Sequence, residues 1–513
     1  MNTRATEVAD LPRTDAYYCE APNDPCAVVM FGASGDLARR KLLPALFDLA
    51  CHACLAPRFR LVGFARTRMS DDDFRKAAEA ALAKGSPNCG REDHREDFLK
   101  HLQYFGGDYD DPESYRRLAQ RLEELDREGH LGGNRLFYLA TPPDVHPRII
   151  QHLGEAGLAK PKGDRSWTRI IIEKPFGHDR ESARELNQKV LEVFDESQVY
   201  RIDHYLGKQT VQNLLVFRFG NGIFEPLWNR NYIDHVQITA SESIGVEERA
   251  AFYESAGALR DMVQSHMLQL TSLVALEAPA TFDATAVRNE KIKVLQSIRP
   301  FTRETTRKSV VRGQYGPGTV NGKPAPGYHQ EPGVKADSST ETFVALKLLV
   351  DNWRWSGVPF YLRTGKRMAK PRTEVAIQFK EAPHKVFRGE SLEANLLVLN
   401  IQPDEGISLS FGAKSPGSEM HIRPVTMDFR YDQTFGVVSR GAYATLLNDC
   451  IRGDATLFDR ADSVEAAWEL VDPILEEWKN ASAPPFPNYA AGSDGPRAAD
   501  DLTVSEGRHW RPL

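Results

Sequence analysis

Residues 201–208, Arg-Ile-Asp-His-Tyr-Leu-Gly-Lys, place a guanidinium, a carboxylate, an imidazole, a phenol and an ammonium in one short stretch. The apolar run Val211 to Phe217 follows at once. If the chain is helical from Tyr205 onward, His204 and Lys208 lie four apart and share one face near the helix N-terminus. Free backbone N–H groups and the positive end of the helix dipole then join two cationic donors, which suits an anion. Asp203 fits the N-cap position, and a capped helix with a solvated first turn is the structural alternative.

Three other groupings carry chemical types. Gly32-x-x-Gly35-x-x-Ala38 follows the apolar run Ala27 to Phe31 and opens a helical pattern through Leu42, Leu43, Leu46, Phe47 and Leu49. Glycines in such a strand-to-helix turn let the backbone approach a pyrophosphate, so the pattern predicts dinucleotide binding; a plain packing turn is the alternative. Arg66, just past the run Arg60 to Phe64, stands near the point where an acid usually holds ribose hydroxyls. Arginine there accommodates a 2′-phosphate and favours NADP over NAD, unless it is a solvated surface residue. Glu173-Lys174-Pro175 follows the run Arg169 to Ile172, and strand C-termini in a doubly wound sheet face the ligand crevice. Pro175 restricts Lys174 to an extended backbone; a turn lysine is the alternative. Finally, Gly257 to His266 opens an apolar helix running to about Leu276. Asp261 and His266, five apart, project about 140° from one another on an α-helix. Their spacing therefore does not pair them, and His266 by itself reads as a core histidine.

These residues need elements to hold them. From residue 26, short apolar runs (Ala27 to Phe31, Arg60 to Phe64, Arg135 to Leu139, Arg169 to Ile172) alternate with amphipathic helical segments at Phe74–Leu82, Tyr115–Leu125 and Ser182–Phe194. That alternation predicts an α/β, doubly wound, Rossmann-like domain with a parallel sheet over residues 26–199. Past residue 200 the runs Tyr232 to Ala240, Phe343 to Val350, Val375 to Phe379 and Leu396 to Gln402 have fewer helices between them. They predict an α+β domain over residues 200–513 with a large, mainly antiparallel sheet, one face exposed. Residues 1–25 read as a poorly ordered extension, 312–336 as an irregular Gly- and Pro-rich segment, and Pro484 to Leu513 as a tail without periodicity.

Composition narrows the function. The 513 residues are 41% hydrophobic and 27% charged, with net charge −6, which argues against nucleic acid or anionic membrane as partner. Anion binding must come from local basic clusters. No apolar stretch approaches the ~20 residues of a membrane span, and Met1 to Asp10 is not a secretory signal, so a cytoplasmic protein is expected. Six cysteines do not make a disulfide framework. Cys51-His52-Ala53-Cys54 has CxxC spacing, but no second pair and no thioredoxin-like context accompany it, so reduced thiols are expected. No His/Cys cluster suggests a metal.

Taken together, GASGDLA (32–38), EKPFG (173–177), RIDHYLGK (201–208), ALRDMVQSHMLQL (258–270) and VPFYLRTGKRM (358–368) resemble the glucose-6-phosphate dehydrogenase family, in its order, from about residue 26 to the end. The resemblance implies oxidation of C1 of β-D-glucose 6-phosphate to the lactone, the first step of the oxidative pentose phosphate pathway, with hydride passing to NADP; NAD use varies among bacterial-type members. It implies His266 as general base, Asp203 as the carboxylate orienting it, and Lys174 beside the sugar C1 and the coenzyme. His204, Tyr205 and Lys208 resemble the phosphate grip; Glu242, Asp261, Lys366 and Gln402 resemble further substrate contacts. Gly32, Ser34, Gly35, Leu37, Lys41 and Arg66 fall on the coenzyme side. Pro371 stands where some relatives carry a second lysine, and Lys370 is its nearest substitute. The exposed sheet implies a homodimer or homotetramer. The competing readings are an NADP-linked dehydrogenase of another phosphorylated aldose and an inactive NADP-binding regulatory relative.

Overall fold

The computed structural model describes Cys19 and residues 23–85, 92–384, 386–387, 392–417, 420–435 and 441–513. The short apolar runs become strands β1 (Ala27–Phe31), β2 (Arg60–Ala65), β3 (Leu102–Gly106), β4 (Arg135–Leu139), β5 (Thr168–Ile172) and β6 (Val199–Arg201). All pair in parallel, in the order β3-β2-β1-β4-β5-β6. This is the strand order of a dinucleotide-binding doubly wound sheet. Ala27, Val29 and Phe31 enter one core while Val28 and Met30 enter the other. Burial on both faces is why β1 reads as an unbroken apolar run instead of an alternating one.

Local chemistry sets the covering helices. Asp111 accepts from the N–H groups of Glu113 and Ser114, each at 3.1 Å, and starts the helix Pro112–Gly129 with proline in its first turn. Asp179 and Ser182 form a capping box that starts Arg180–Leu191. The helix Ala442–Arg452 returns from the far end of the chain: Leu446, Leu447 and Ile451 pack with Val28, Met30 and Leu136. No local pattern announces that contact.

The second sheet has eight strands in the order Ile422–Arg430, Gly406–Lys414, Leu396–Gln402, Arg372–Phe379, Ile233–Ser241, Pro359–Gly365, Phe343–Leu349 and Val310–Gly313. The Ile233–Ser241 and Pro359–Gly365 strands are parallel; all other neighbours are antiparallel.

Several expectations are corrected. Residues 312–336 contain strands: Gly318–Val320 pairs with Lys323–Ala325, and Tyr315–Gly316 pairs with Tyr489–Ala490. Buried Tyr315 and Tyr328 supply apolar anchors that the Gly/Pro content masks. The tail holds a helix, Ala498–Val504, and Trp510 packs with Leu502 and Tyr361 in the same small core. The thiols are not all reduced: Cys54 is bonded to Cys19, 35 positions away, and Cys51 is disulfide-bonded as well. Backbone bonds from Cys19 N–H to His52 O (3.3 Å) and Asn23 N–H to Cys54 O (3.0 Å) bring the upstream segment back, which the CxxC spacing does not show. Residues 1–18 and 20–22 of the expected extension lie outside the described residues. Among the described residues, no helix is long and apolar enough to cross a membrane.

Candidate active site

The site forms where the C-terminal ends of β5 and β6 meet a long interior helix and the ends of two strands of the second sheet. Lys174 follows β5, and its peptide bond to Pro175 is cis. Asp203 follows β6. The expected continuous helix from Gly257 is instead three pieces: Ala250–Ala258, interrupted at Gly257 (φ 66°, ψ 175°), a π-helical segment Leu259–Met267, and the α-helix Leu268–Ala275. In a π-helix the backbone bonds run i to i+5, and the wider turn brings residues five apart toward one side of the helix. Asp261 and His266 therefore share a side, contrary to the α-helical expectation. Lys174 Nζ joins them, donating to Asp261 Oδ1 at 3.0 Å and to His266 Nε2 at 2.7 Å.

His266 is 1% exposed, yet it is not a passive core residue. Its Nδ1 lies 2.5 Å from Asp203 Oδ1, and the Tyr205 ring stacks on it at 4.2 Å with planes 19° apart. An ammonium at Nε2 and a carboxylate at Nδ1 assign a neutral imidazole that donates from Nδ1 and carries its lone pair on Nε2. Burial lowers the His266 pKa, and Lys174 adds to this while Asp203 opposes it. Burial pushes Asp203 upward, but His266, His204 and Lys174 together hold its carboxyl well below the usual range. Asp203 Oδ2 is buried without a partner among the described residues, so this carboxylate retains acceptor capacity.

The 203–208 stretch differs from the expected helix start. Asp203 Oδ1 accepts from Tyr205 N–H at 2.9 Å, closing a turn, and the helix begins at Gln209 with Lys208 as its extended N-cap (ψ 134°). Asp203 thus organises a turn instead of capping the helix, because its carboxylate is shared with His266. Lys208 Nζ sits 4.1 Å above the Tyr205 ring and donates to Gln402 Oε1. Burial lowers the Lys208 pKa to about 8, against the opposing pull of Asp203, Glu405 and Glu242. The His204 ring is edge-on to His266 at 4.6 Å and parallel to Tyr443 at 6.2 Å. Burial, then the neighbouring His266 and Lys174, lower its pKa well below the ordinary value, so it acts as a neutral group.

Glu242 and Lys366 end two adjacent parallel strands. Glu242 N–H donates to Gly365 O at 2.9 Å, and Lys366 Nζ reaches Glu242 Oε2 at 2.5 Å. Lys366 also stands 5.2 Å from the ring of buried Tyr253, which sequence reasoning missed. Lys370 offers its backbone carbonyl to Ser241 Oγ at 2.8 Å. Glu173 was visible in its motif but not recognised as a site component. It accepts from Tyr138 O–H at 2.5 Å, and burial raises its pKa to about 7. Tyr443, from the returning helix, gave no signal.

On the coenzyme side Gly32 has φ 82°, a left-handed backbone that favours glycine, and its carbonyl accepts from Gly35 N–H at 2.8 Å. Ser34 Oγ lies 3.3 Å from Thr67 Oγ1. Leu37 leads into the π-helical turn Ala38–Leu42, where Lys41 is exposed; Arg66 is exposed too, 5.4 Å from the Tyr109 ring. A glycine turn at a strand end with exposed cationic side chains fits an anionic dinucleotide. Asp203, His204 and His266 bring three donor atoms within 4.8 Å of one another, a cluster that distant chain positions hid. Asp203 and His266 already engage each other there.

Fold and site together define a dinucleotide-dependent oxidoreductase: a parallel sheet of nucleotide-binding order, with a carboxylate-backed neutral imidazole beside its strand C-termini. Residues 29–213 match the family model described as glucose-6-phosphate dehydrogenase, NAD binding domain, and residues 215–511 match glucose-6-phosphate dehydrogenase, C-terminal domain. The chain is 50% identical over 496 residues to a glucose-6-phosphate 1-dehydrogenase of Chlamydia pneumoniae, covering 95% of this chain and 96% of that one. It is 49% identical over 486 residues to that of Aggregatibacter actinomycetemcomitans, with 95% and 97% covered. A solved structure of glucose-6-phosphate dehydrogenase in complex with its substrate glucose-6-phosphate matches with TM-score 0.88 and 34% identity over 96% of this chain and 100% of the other. The chain belongs to the glucose-6-phosphate dehydrogenase family.

Proposed function

We propose that this protein oxidises C1 of β-D-glucose 6-phosphate to the lactone, with NADP taking the hydride. The observation carrying the reading is the Asp203–His266–Lys174 line, 2.5 Å and 2.7 Å between successive groups, with the cationic Lys208 turn beside it. When bound, the nicotinamide supplies the hydride acceptor. His266 Nε2 takes the C1 hydroxyl proton as the carbonyl develops, and ionised Asp203 stabilises the imidazolium through Nδ1–H. Lys174, now on Nε2, must turn toward the sugar as the hydroxyl arrives, and Asp261 holds the ammonium during that exchange. Lys208, His204 and Tyr205 grip the phosphate; Glu242, Asp261 and Lys366 read sugar hydroxyls, with Gln402 orienting Lys208. Gly32, Ser34, Gly35 and Leu37 cradle the pyrophosphate, with Lys41 nearby, and Arg66 selects the 2′-phosphate.

The same reading divides the chain into a coenzyme domain at 26–199 and a substrate and assembly domain at 200–513. The exposed edge strand Ile422–Arg430, with Val425 and Met427 facing solvent, supports a homodimer or homotetramer built on the second sheet. Charged phosphorylated reactants, which do not cross membranes unaided, support a cytoplasmic site of action.

The test is NADPH absorbance with purified protein, NADP and glucose 6-phosphate, beside wells holding glucose and galactose 6-phosphate. Turnover with the first and a preference of more than about 10-fold over the others is expected, since 1.4 kcal/mol is already tenfold. No turnover, or preference for galactose 6-phosphate, overturns the proposal.

A further inference from the structure

The site has two walls that are joined through residues holding none of the proposed substrate or coenzyme contacts. One is the π-helical segment Leu259–Met267 with Asp261 and His266; the other is the strand end with Lys366 and its partner Glu242. The segment's N-terminus is buried, and Ala258 at its N-cap has no side-chain cap of its own. A buried helix start needs acceptors for its first N–H groups. They come from residue 341, 82 positions downstream of Leu259: Glu341 Oε1 accepts from Leu259 N–H at 2.9 Å, and Glu341 O accepts from Ala258 N–H at 3.0 Å.

Glu341 is placed with little freedom. It is 6% exposed, and a Cβ on Gly257 would lie 2.3 Å from its Oε1, so the carboxyl fills the space left by the missing side chain. The positive φ of Gly257 turns the chain there, which lets the carboxyl reach the new helix start. The next residue ties the opposite wall: Thr342 O accepts from Lys366 N–H at 2.9 Å, and Tyr489 O–H bridges Thr342 Oγ1 (2.9 Å) and Lys366 O (2.8 Å). One dipeptide therefore holds both walls.

We propose that Glu341 is a positioning residue for catalysis, its carboxyl fixing the start of the π-helical segment so that Asp261 and His266 meet Lys174, while neighbouring Thr342 holds the Lys366 wall. The proposal rests on the dehydrogenase reading above. Glu341 touches no reactant; it acts through the helix. It accepts a hydrogen bond, so a neutral amide oxygen of the same reach should substitute, while a shorter side chain should not.

The experiment compares Glu341→Gln, Glu341→Asp and Glu341→Ala with wild type in kcat, in KM for glucose 6-phosphate and NADP, and in folded fraction by circular dichroism, with kcat scaled to NADP-binding sites. Glu341→Gln should stay within about 3-fold of wild-type kcat. Glu341→Asp and Glu341→Ala should lose about 10- to 100-fold in kcat, the scale of a 1 Å misplacement, with the NADP KM within about 2-fold. Wild-type kcat per folded site in the Asp and Ala variants overturns the proposal, as does an equal loss in the Gln variant. If Glu341→Ala does not fold, Glu341→Asp against Glu341→Gln decides. An inactive wild type fails the dehydrogenase reading itself and is seen before any variant is assayed.

Discussion

The Lys174 ammonium points at the lone pair of His266 that, in the proposed reaction, receives the C1 hydroxyl proton: Nζ to Nε2 is 2.7 Å. A base held this way is kept neutral and unprotonated, because a cation already occupies its open position. In the proposed reaction it is released when a substrate hydroxyl replaces the ammonium.

His266→Asn should therefore lower kcat by about 10²–10⁴-fold, the usual contribution of a positioned base. The glucose 6-phosphate KM should change little, since asparagine preserves polarity and much of the volume. Asp203→Asn should lower kcat as well, with NADP affinity retained. Steady-state kinetics on both variants checks this; near-normal kcat for His266→Asn removes the base assignment.

The proposed phosphate grip should divide unequally. Lys208 is the charged member, and Lys208→Ala should raise the glucose 6-phosphate KM by about 10- to 100-fold, the equivalent of 1.5–3 kcal/mol for a charged hydrogen bond. His204 is neutral, so His204→Ala should raise it by about 3- to 10-fold, within the 0.5–1.5 kcal/mol of a neutral bond. The NADP KM should stay fixed. Unchanged sugar-phosphate KM in both variants would place the anion elsewhere.

The pH profile follows from these directions. His266 titrates below its ordinary 6.5, so kcat/KM should rise with pH on the acid side and level off by neutral pH. Lys208, with a pKa lowered to about 8, loses its charge above that, so kcat/KM should fall as pH passes about 8. In Lys208→Arg the alkaline fall should move to higher pH while the acid limb stays, because guanidinium keeps its charge. An alkaline limb that does not move assigns it to another group.

In the proposed function, coenzyme choice rests on Arg66. A guanidinium pairs with a 2′-phosphate, where NAD offers a hydroxyl. Arg66→Ala should cost NADP about 10- to 100-fold in kcat/KM and leave NAD nearly unchanged, with Thr67 and Arg68 nearby to share the contact. Kinetics with both coenzymes reads the outcome. Equal losses would make Arg66 a structural residue.

The Cys19–Cys54 disulfide closes a loop over a sequence separation of 35 residues. Constraining the unfolded chain over such a loop contributes about 2–4 kcal/mol. Cys19→Ser should lower the thermal midpoint by a few degrees, on the scale of about 2–4 °C per kcal/mol at most for so large a chain, without changing kcat. An unshifted melting curve, with thiol titration showing wild-type Cys19 reduced, would remove the bond from the protein as it exists in solution.

The sequence by itself determined the order of elements and the chemical types. Strand periodicity and the glycine turn gave the parallel nucleotide-binding layer because burial on both faces writes an apolar run directly into β1. The ionisable stretch 201–208 was legible as a candidate, but a capped helix with a solvated first turn explains such a stretch as well, and the accompanying motifs decided between them. Pairing was beyond it. Asp203 and His266 are 63 positions apart, and Asp261 and His266 share a side because the helix holding both is wound i to i+5, beginning just after Gly257 interrupts the chain. Tyr443 and Tyr253 reach the site from helices whose local patterns show apolar burial alone. Propensity and periodicity act over a few residues, whereas a pKa, a tautomer or a hydrogen bond between distant segments depends on what packing brings within a few ångströms. That part was settled by the tertiary structure.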